Sequence, residues 1–208
     1  MIYFFAIVFG YLAGSLPTGY LAAKRRGMDI RAQGSGNIGA TNVFRTLGWK
    51  AGVTVLFIDG LKGWIGCKGG LWLMGASGGN PIWILIVGGF ASVLGHNYTP
   101  WLRFRGGKGI ATSAGVLVAL TPWGFLGALT SFLVFLGISR MVSLGSIMAA
   151  VALPVVVWYR QEPGPILGVC ILMSLLAIVK HRANIQRILQ GTESKIGQKK
   201  PGKGKVSS

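Results

Sequence analysis

The chain has 208 residues, of which 51% are hydrophobic and only 12% charged, with a mean hydropathy of +0.58. Soluble domains carry about 25% charged residues, so a soluble globular protein is excluded as the first reading and an integral membrane protein of one domain takes its place. Lys and Arg number 21 against 4 acids, a net charge of +17. Because the cations lie between and after apolar runs, the positive-inside rule and attraction to anionic lipid or substrate explain them better than nucleic acid does.

The first apolar segment, residues 1–23, is long enough for one bilayer crossing and carries its charges, Lys24-Arg25-Arg26, after it. That order predicts a first helix with its N-terminus outside rather than a cleaved signal peptide. Gly10 and Gly14 make a GxxxG pair suited to close helix packing in lipid, and Pro17 predicts a kink. Further apolar segments cover roughly 51–75, 81–98, 111–138, 141–158 and 163–180. Placing Lys24–Lys50, Arg103–Lys108, Arg140 and Lys180 onward on the cytoplasmic side gathers 18 of the 21 cations there. Gly78-Gly79-Asn80-Pro81 reads as a turn between the second and third segments. Parity then requires Thr121-Pro122 to split 111–138 in two, because proline disfavours helix in the residue before it. The expectation is an all-α integral membrane protein of about seven transmembrane helices, some short or broken, N-terminus outside and C-terminus cytoplasmic. Five spans is the alternative, since 111–120 is too short to cross about 30 Å of hydrocarbon. Residues 1–191 form the transmembrane domain, and 192–208, rich in Lys, Gly and Ser, a disordered cytoplasmic tail. Cys67 and Cys170, both in apolar surroundings, read as free thiols.

Three polar islands interrupt the apolar pattern. Gly34–Arg45, GSGNIGATNVFR, holds three glycines, two asparagines, serine, threonine and arginine, and no acid. Glycines Gly34, Gly36 and Gly39 let backbone N–H groups approach an anion. Ser35, Asn37, Thr41 and Asn42 add neutral donors, and Arg45 offers a fork for two phosphate oxygens. The formal GxGxxG match lacks the strand that dinucleotide binding needs. The second island joins His96 to Phe104-Arg105-Gly106-Gly107-Lys108-Gly109, a lysine set among flexible amides. It is not a Walker A loop, because Gly109 stands where Ser or Thr should follow the lysine. The third is Lys180–Arg187 with Gly191 and Glu193 after it; on a helix His181, Asn184 and Arg187 share one face. Asp59 and Lys62, three apart inside an apolar segment, predict an ion pair, since a lone charge in a membrane is costly. Gly75-Ala76-Ser77-Gly78-Gly79 matches GxSxG without the strand-to-helix context or the Asp and His partners of a nucleophile elbow. The four acids and two histidines show no metal-ligand spacing, and nothing calls for a cofactor.

Together GSGNIGATNVFR, GHNYTPWLRFRGGKG and HRANIQRILQGTE, with Ser15-Leu16-Pro17-Thr18-Gly19-Tyr20 and Asp59-Gly-Leu-Lys62-Gly, resemble the bacterial acyl-phosphate:glycerol-3-phosphate acyltransferase family, PlsY. The resemblance covers most of the chain. It implies a seven-span enzyme of the bacterial inner membrane, its active site facing the cytoplasm. Such an enzyme moves a fatty acyl group from acyl phosphate to glycerol 3-phosphate, an early step of phospholipid synthesis. Membrane lipid and the acyl-phosphate-forming enzyme are the implied partners, and nucleic acid is not. By the same resemblance Ser35, Arg45, Lys108, His181 and Asn184 are the catalytic set. Gly34, Gly36, Asn37, Gly39, Thr41, Asn42, His96, Gly106 and Gly107 line the substrate site. The soluble acyltransferase motif, His and Asp four residues further than its successor, is absent after both histidines. The competing class is a transporter or channel for an anionic phosphorylated solute, against which stand the clustering of polar motifs at one membrane face and the lack of an inverted repeat.

Overall fold

A computed structural model describes residues 1–74 and 79–198. Residues 75–78, which hold all of the GxSxG stretch except Gly79, together with the first residue of the Gly78–Pro81 turn, lie outside the described residues, as do residues 199–208 of the tail. Among the described residues the chain is all-helical: α1 (Ile2–Ser15), α2 (Thr18–Lys24), α3 (Ala40–Leu47), α4 (Trp49–Met74), α5 (Pro81–Asn97), α6 (Ile110–Leu120), α7 (Pro122–Ser139), α8 (Val142–Tyr159), α9 (Gly164–Lys180) and α10 (Arg182–Leu189). Short 3₁₀ turns fill Ile30–Ala32 and Pro100–Leu102.

Four stretches are long and apolar enough to cross a membrane: Ile2–Lys24, Pro81–Leu102, Pro122–Ser139 and Val142–Tyr159. The pair α9 and α10, bent by 57°, makes a fifth if taken as one span. Among the described residues, four or five spans thus qualify by length and composition, fewer than the seven expected. The reasons are local: α4 carries Lys50, Asp59, Lys62 and Lys68, and α6 has only 11 residues, about 16 Å of helix. The break between α6 and α7 falls at Thr121, whose hydroxyl accepts from the Gly124 N–H and caps the helix that Pro122 opens.

In lipid, helices associate through close packing rather than through expulsion of water, and glycine sets how close. A Cβ on Gly14 would overlap the backbone of Ser92, and one on Gly10 that of Gly88, so α1 and α5 touch backbone to backbone. Gly63 and Gly115 seat the short α6 on α4 in the same way. Around these four helices α7, α8 and α9 pack in sequence, with α9 closing back on α5. The main apolar core runs through Val93, Val116, Val157 and Met173; a second, smaller one (Ile30, Ile38, Val43, Leu102) supports the first polar island.

The break at Pro17 does more than bend the chain. It leaves the last carbonyls of α1 without helical partners, and those of Ser15 and Leu16 find partners on other elements. Thr99 Oγ1 donates to the Ser15 carbonyl at 2.6 Å, and Lys62 Nζ to the Leu16 carbonyl at 2.8 Å. Trp101 Nε1 adds a bond to Ser15 Oγ at 3.0 Å. These contacts tie α1, α4 and the loop after α5 into one end of the bundle. The same end receives Lys180, which donates to the Asn97 carbonyl at 3.1 Å, and Arg140, which exchanges two hydrogen bonds with Ile196. All four loops whose cations the charge pattern assigned to one side thus meet there. Residues 192–198, read from the sequence as the start of a disordered tail, instead fold back on α8 and α10 through the buried side chain of Glu193.

Candidate active site

At this end lies an open cavity of about 640 Å³. Five cations line it, Arg31, Arg105, Lys108, Lys180 and Arg187, against one carboxylate, Asp29. Of the residues singled out by sequence, Ser35, Gly36, Asn37, Gly106, Lys108 and Asn184 reach its wall. Three separate loops therefore converge on one space.

The first island is a loop held from inside by one side chain. Asn42, 2% exposed, accepts the Ser35 N–H at 3.0 Å through Oδ1. Its amide group donates to the carbonyls of Gln33 and Asn37 at 2.9 Å and Ile30 at 3.3 Å. Every polar atom of Asn42 is engaged, so it shapes the loop and does not face a ligand, a correction to the sequence expectation. Asn37 is half committed: its Oδ1 accepts the Gly39 N–H at 2.8 Å in a local turn. Gly34 and Gly36 have φ of +59° and +71°, a region that suits glycine, and a Cβ on Gly34 would collide with Asn42 Oδ1. Gly39 caps α3, and Thr41 is exposed on α3 away from the cavity wall. Arg45 is exposed and is not among the residues that line the cavity; its guanidinium lies 3.4 Å from the Ser194 carbonyl, and its charge is felt at Lys108.

The second island is held by backbone. The Gly106 N–H donates to the Asn97 carbonyl at 3.2 Å and the Gly107 N–H to the His96 carbonyl at 3.0 Å. Both amides are therefore spent, and the expectation that they cradle a phosphate is corrected. The glycines are needed for space: a Cβ on Gly106 would strike the His96 carbonyl, and one on Gly107 the His96 ring. His96 is likewise corrected. It is 5% exposed and enclosed between Gly107 and Asp59, with Nδ1 3.8 Å from Asp59 Oδ1, beyond hydrogen-bond range. Asp59 itself pairs with Lys62 at 2.8 Å, as their spacing predicted.

The third island supplies the connection. His181 donates from Nδ1 to the Ala177 carbonyl at 2.8 Å, which leaves Nε2 as the acceptor nitrogen. It is 3% exposed and stands behind the cavity wall rather than in it. Asn184 Oδ1 accepts a hydrogen bond from Lys108 Nζ, while its Nδ2 donates to Glu193 Oε1 at 2.9 Å. Glu193 also accepts from Ser143 Oγ at 2.9 Å and from Arg187 Nε at 2.7 Å. Burial pushes this carboxyl up, but the hydrogen bonds from Asn184, Arg187 and Ser143 outweigh it and hold it below the usual range. Burial likewise brings the Lys108 ammonium down to about 8; Glu193 opposes that shift, and Arg187 and Arg45 add to it. Glu193 is the residue that sequence reasoning quoted without a role. Its signal is that it is one of four acids in a chain of charge +17, set beside a basic island.

An array of guanidinium and ammonium groups around neutral donors suits a phosphate monoester, or two of them. Residues 4–191 match the Glycerol-3-phosphate acyltransferase family. The chain belongs to that family. Its relatives include the glycerol-3-phosphate acyltransferases of Rippkaea orientalis, 46% identical over 93% of this chain and 92% of that one, and of Trichlorobacter lovleyi, 43% identical over 92% and 96%. Two crystal structures of PlsY (YgiH), an integral membrane glycerol 3-phosphate acyltransferase, share 40% of the sequence over 94% of this chain. The glycerol 3-phosphate form superposes with a TM-score of 0.86, covering 96% of its own length, and the lysophosphatidic acid form with 0.83, covering 95%. Family membership and the apolar helices make this a membrane protein.

Proposed function

We propose that this protein transfers a fatty acyl group from acyl phosphate to the 1-hydroxyl of glycerol 3-phosphate, releasing lysophosphatidate and inorganic phosphate. The observation that carries this reading is the cavity in which Lys108, Arg31, Arg105, Lys180 and Arg187 surround Ser35, Asn37 and Asn184. It occurs in a chain of this acyltransferase family, whose PlsY relative has glycerol 3-phosphate and lysophosphatidic acid forms. Both proposed substrates carry phosphate, and the site is correspondingly basic.

The chemistry needs no covalent enzyme intermediate. The donor is already activated, and Ser35 has no histidine or carboxylate bonded to its hydroxyl among the described residues, so it serves as a donor rather than a nucleophile. The 1-hydroxyl oxygen attacks the acyl carbonyl carbon. The tetrahedral intermediate collapses with cleavage of the acyl carbon–oxygen bond to phosphate. The hydroxyl proton leaves with the phosphate oxygen or passes to His181 Nε2, and His96, enclosed between Gly107 and Asp59, is not a candidate base. Lys108, fixed by Asn184, and the Arg45 fork hold phosphate oxygens. Alignment of the two reactants supplies up to about 7–11 kcal/mol, and each donor aimed at the developing oxyanion about 3–4 kcal/mol.

The cation-rich end of the bundle faces the cytoplasm of a bacterial inner membrane in this reading. There α1/α2 and α4 through α9 make seven crossings, with the short α6 carried by α4. N-terminus outside and C-terminus inside follow, and the acyl-phosphate-forming enzyme would supply the donor from the same face. The test is phosphate release by purified protein in detergent or lipid cubic phase given acyl phosphate and glycerol 3-phosphate. Release that requires both substrates is expected; its absence with folded protein sinks the reading. His181→Gln assigns the proton: near-normal turnover gives it to the phosphate oxygen.

A further inference from the structure

Next to the candidate active site lies a second cavity of about 530 Å³, lined by Tyr20, Arg31, Trp101, Leu102, Arg103 and Arg105. Arg31 and Arg105 line both cavities, so the two are neighbours across a shared arginine wall. Arg31 is fixed in that wall. Its guanidinium makes a double hydrogen bond to Asp29 and lies 5.2 Å over the Tyr20 ring. Arg103 and Arg105 differ: neither makes a side-chain hydrogen bond or ion pair with any described residue. The cavity therefore presents two guanidinium groups without a counter-charge.

Its outer edge is apolar. Trp101, which lines the cavity at the end of the apolar stretch Pro81–Leu102, is 66% exposed, and Phe104, two residues beyond that stretch, is 62% exposed. Aromatic side chains at the end of such a stretch sit at the level of lipid headgroups. The loop that carries them is held rigidly. Trp101 is bonded to Ser15, and Arg103 and Phe104 both adopt left-handed backbone, with φ of 53° and 61°. Two successive non-glycine residues in that region are costly, and the Phe104 N–H bond to the Thr99 carbonyl at 2.9 Å keeps the turn closed.

We infer that this second cavity is a lipid-phosphate site: it takes the phosphate headgroup of an anionic membrane lipid between Arg103 and Arg105, with the acyl chains alongside Trp101 and Phe104. Guanidinium forks match phosphate oxygens in pairs, and the exposed aromatics favour a phosphate attached to a chain over a free ion. Arg105 lines both cavities, but Arg103 lines only this one and not the cavity that holds Lys108 and Asn184, so Arg103 is the residue that tests the lipid site apart from the transfer reaction.

The test uses the full chain in phosphatidylcholine nanodiscs doped with phosphatidate, with retained lipid counted by native mass spectrometry. The wild type is expected to retain phosphatidate over phosphatidylcholine. Arg103→Asn, chosen because asparagine tolerates left-handed backbone, is expected to weaken that retention about tenfold, with the KM for glycerol 3-phosphate unchanged. Equal retention of both lipids by the wild type overturns the inference without recourse to any variant. So does wild-type retention by folded Arg103→Asn. Inorganic phosphate that displaces phosphatidate at equal concentration would assign the site to the free ion and overturn the lipid reading.

Discussion

Two buried polar clusters sit within a few residues of each other and do opposite things. Asp59, Lys62 and His96 are sealed: all three are at most 5% exposed, and they reach only one another, the Leu16 carbonyl and the underside of Gly107. Lys108, Asn184, Glu193 and Arg187 are anchored just as firmly, but Lys108, Asn184 and Arg187 open into the cavity. The first cluster solves a structural problem, closing the end of α1 at Pro17 and supporting the loop that bears Lys108. The second uses similar chemistry to hold a cation where a ligand can meet it. Burial and charge alone do not mark a functional group; what matters is whether one side of the network is left open.

The sharpest way to break this contrast is to remove Asp59. Asp59→Ala leaves the Lys62 ammonium buried without its counter-charge, and the expected loss is about 3–5 kcal/mol of stability, read by thermal unfolding in detergent. Replacing both partners, Asp59→Leu with Lys62→Leu, should recover most of it, because a packed apolar pair avoids the desolvation cost. Failure of the double variant to recover would mean that the Lys62 bond to Leu16 matters more than the pair. Lys108→Met should behave in the opposite way. Its melting temperature should stay near wild type while kcat/KM falls about 10²–10³-fold. A large loss of stability instead would move Lys108 into the structural cluster.

A third substitution tests the loop between the two. Asn42→Ala removes the side chain that gathers Ser35, Gln33, Asn37 and Ile30. At about 1 kcal/mol for each net hydrogen bond, about 4 kcal/mol should be lost. The KM for the phosphate substrates should rise as Ser35 and Asn37 lose their setting. Unchanged stability with lost turnover would return Asn42 to the ligand.

How much of this was legible depends on what kind of rule governs each residue. The break at Thr121-Pro122 and the Asp59–Lys62 pair follow from local constraints, proline geometry and charge spacing, which act whatever the rest of the fold does. The convergence of Ser35, Lys108 and Asn184 follows from charge sidedness. The errors share one cause. Asn42, His96 and the Gly106-Gly107 amides are the residue types that bind anions, but the same groups bind backbone equally well. Which side of a loop they face is decided by the tertiary packing of α3 and α5. Arg187 was placed on the face of His181 and Asn184 without a role, and Arg31, Arg105 and Lys180 went unassigned because a basic residue in a basic segment carries no local mark of where it points. Glu193 was hidden by the Lys/Gly-rich segment after it, whose composition argues for disorder while its one acid ties it down.

The finest test of the contrast is pH, because only the open cluster should report on turnover near neutrality. Lys108 must be charged to hold a phosphate, and its pKa lies at about 8 in the free protein. The acid form is the active one, so kcat/KM should be full below that value and fall as pH rises through it. Glu193 is the group that opposes the downward shift. Glu193→Gln removes its charge while keeping the shape that Asn184 and Ser143 bind. The Lys108 pKa should therefore drop further and the alkaline limb move to lower pH, with a loss at pH 7 within about tenfold. The sealed cluster predicts no such movement: the limb of the Asp59→Leu, Lys62→Leu variant should stay where the wild type has it. A limb that ignores Glu193 would mean that the ionisation controlling turnover belongs to the substrate phosphate and that Lys108 is only a positioned charge.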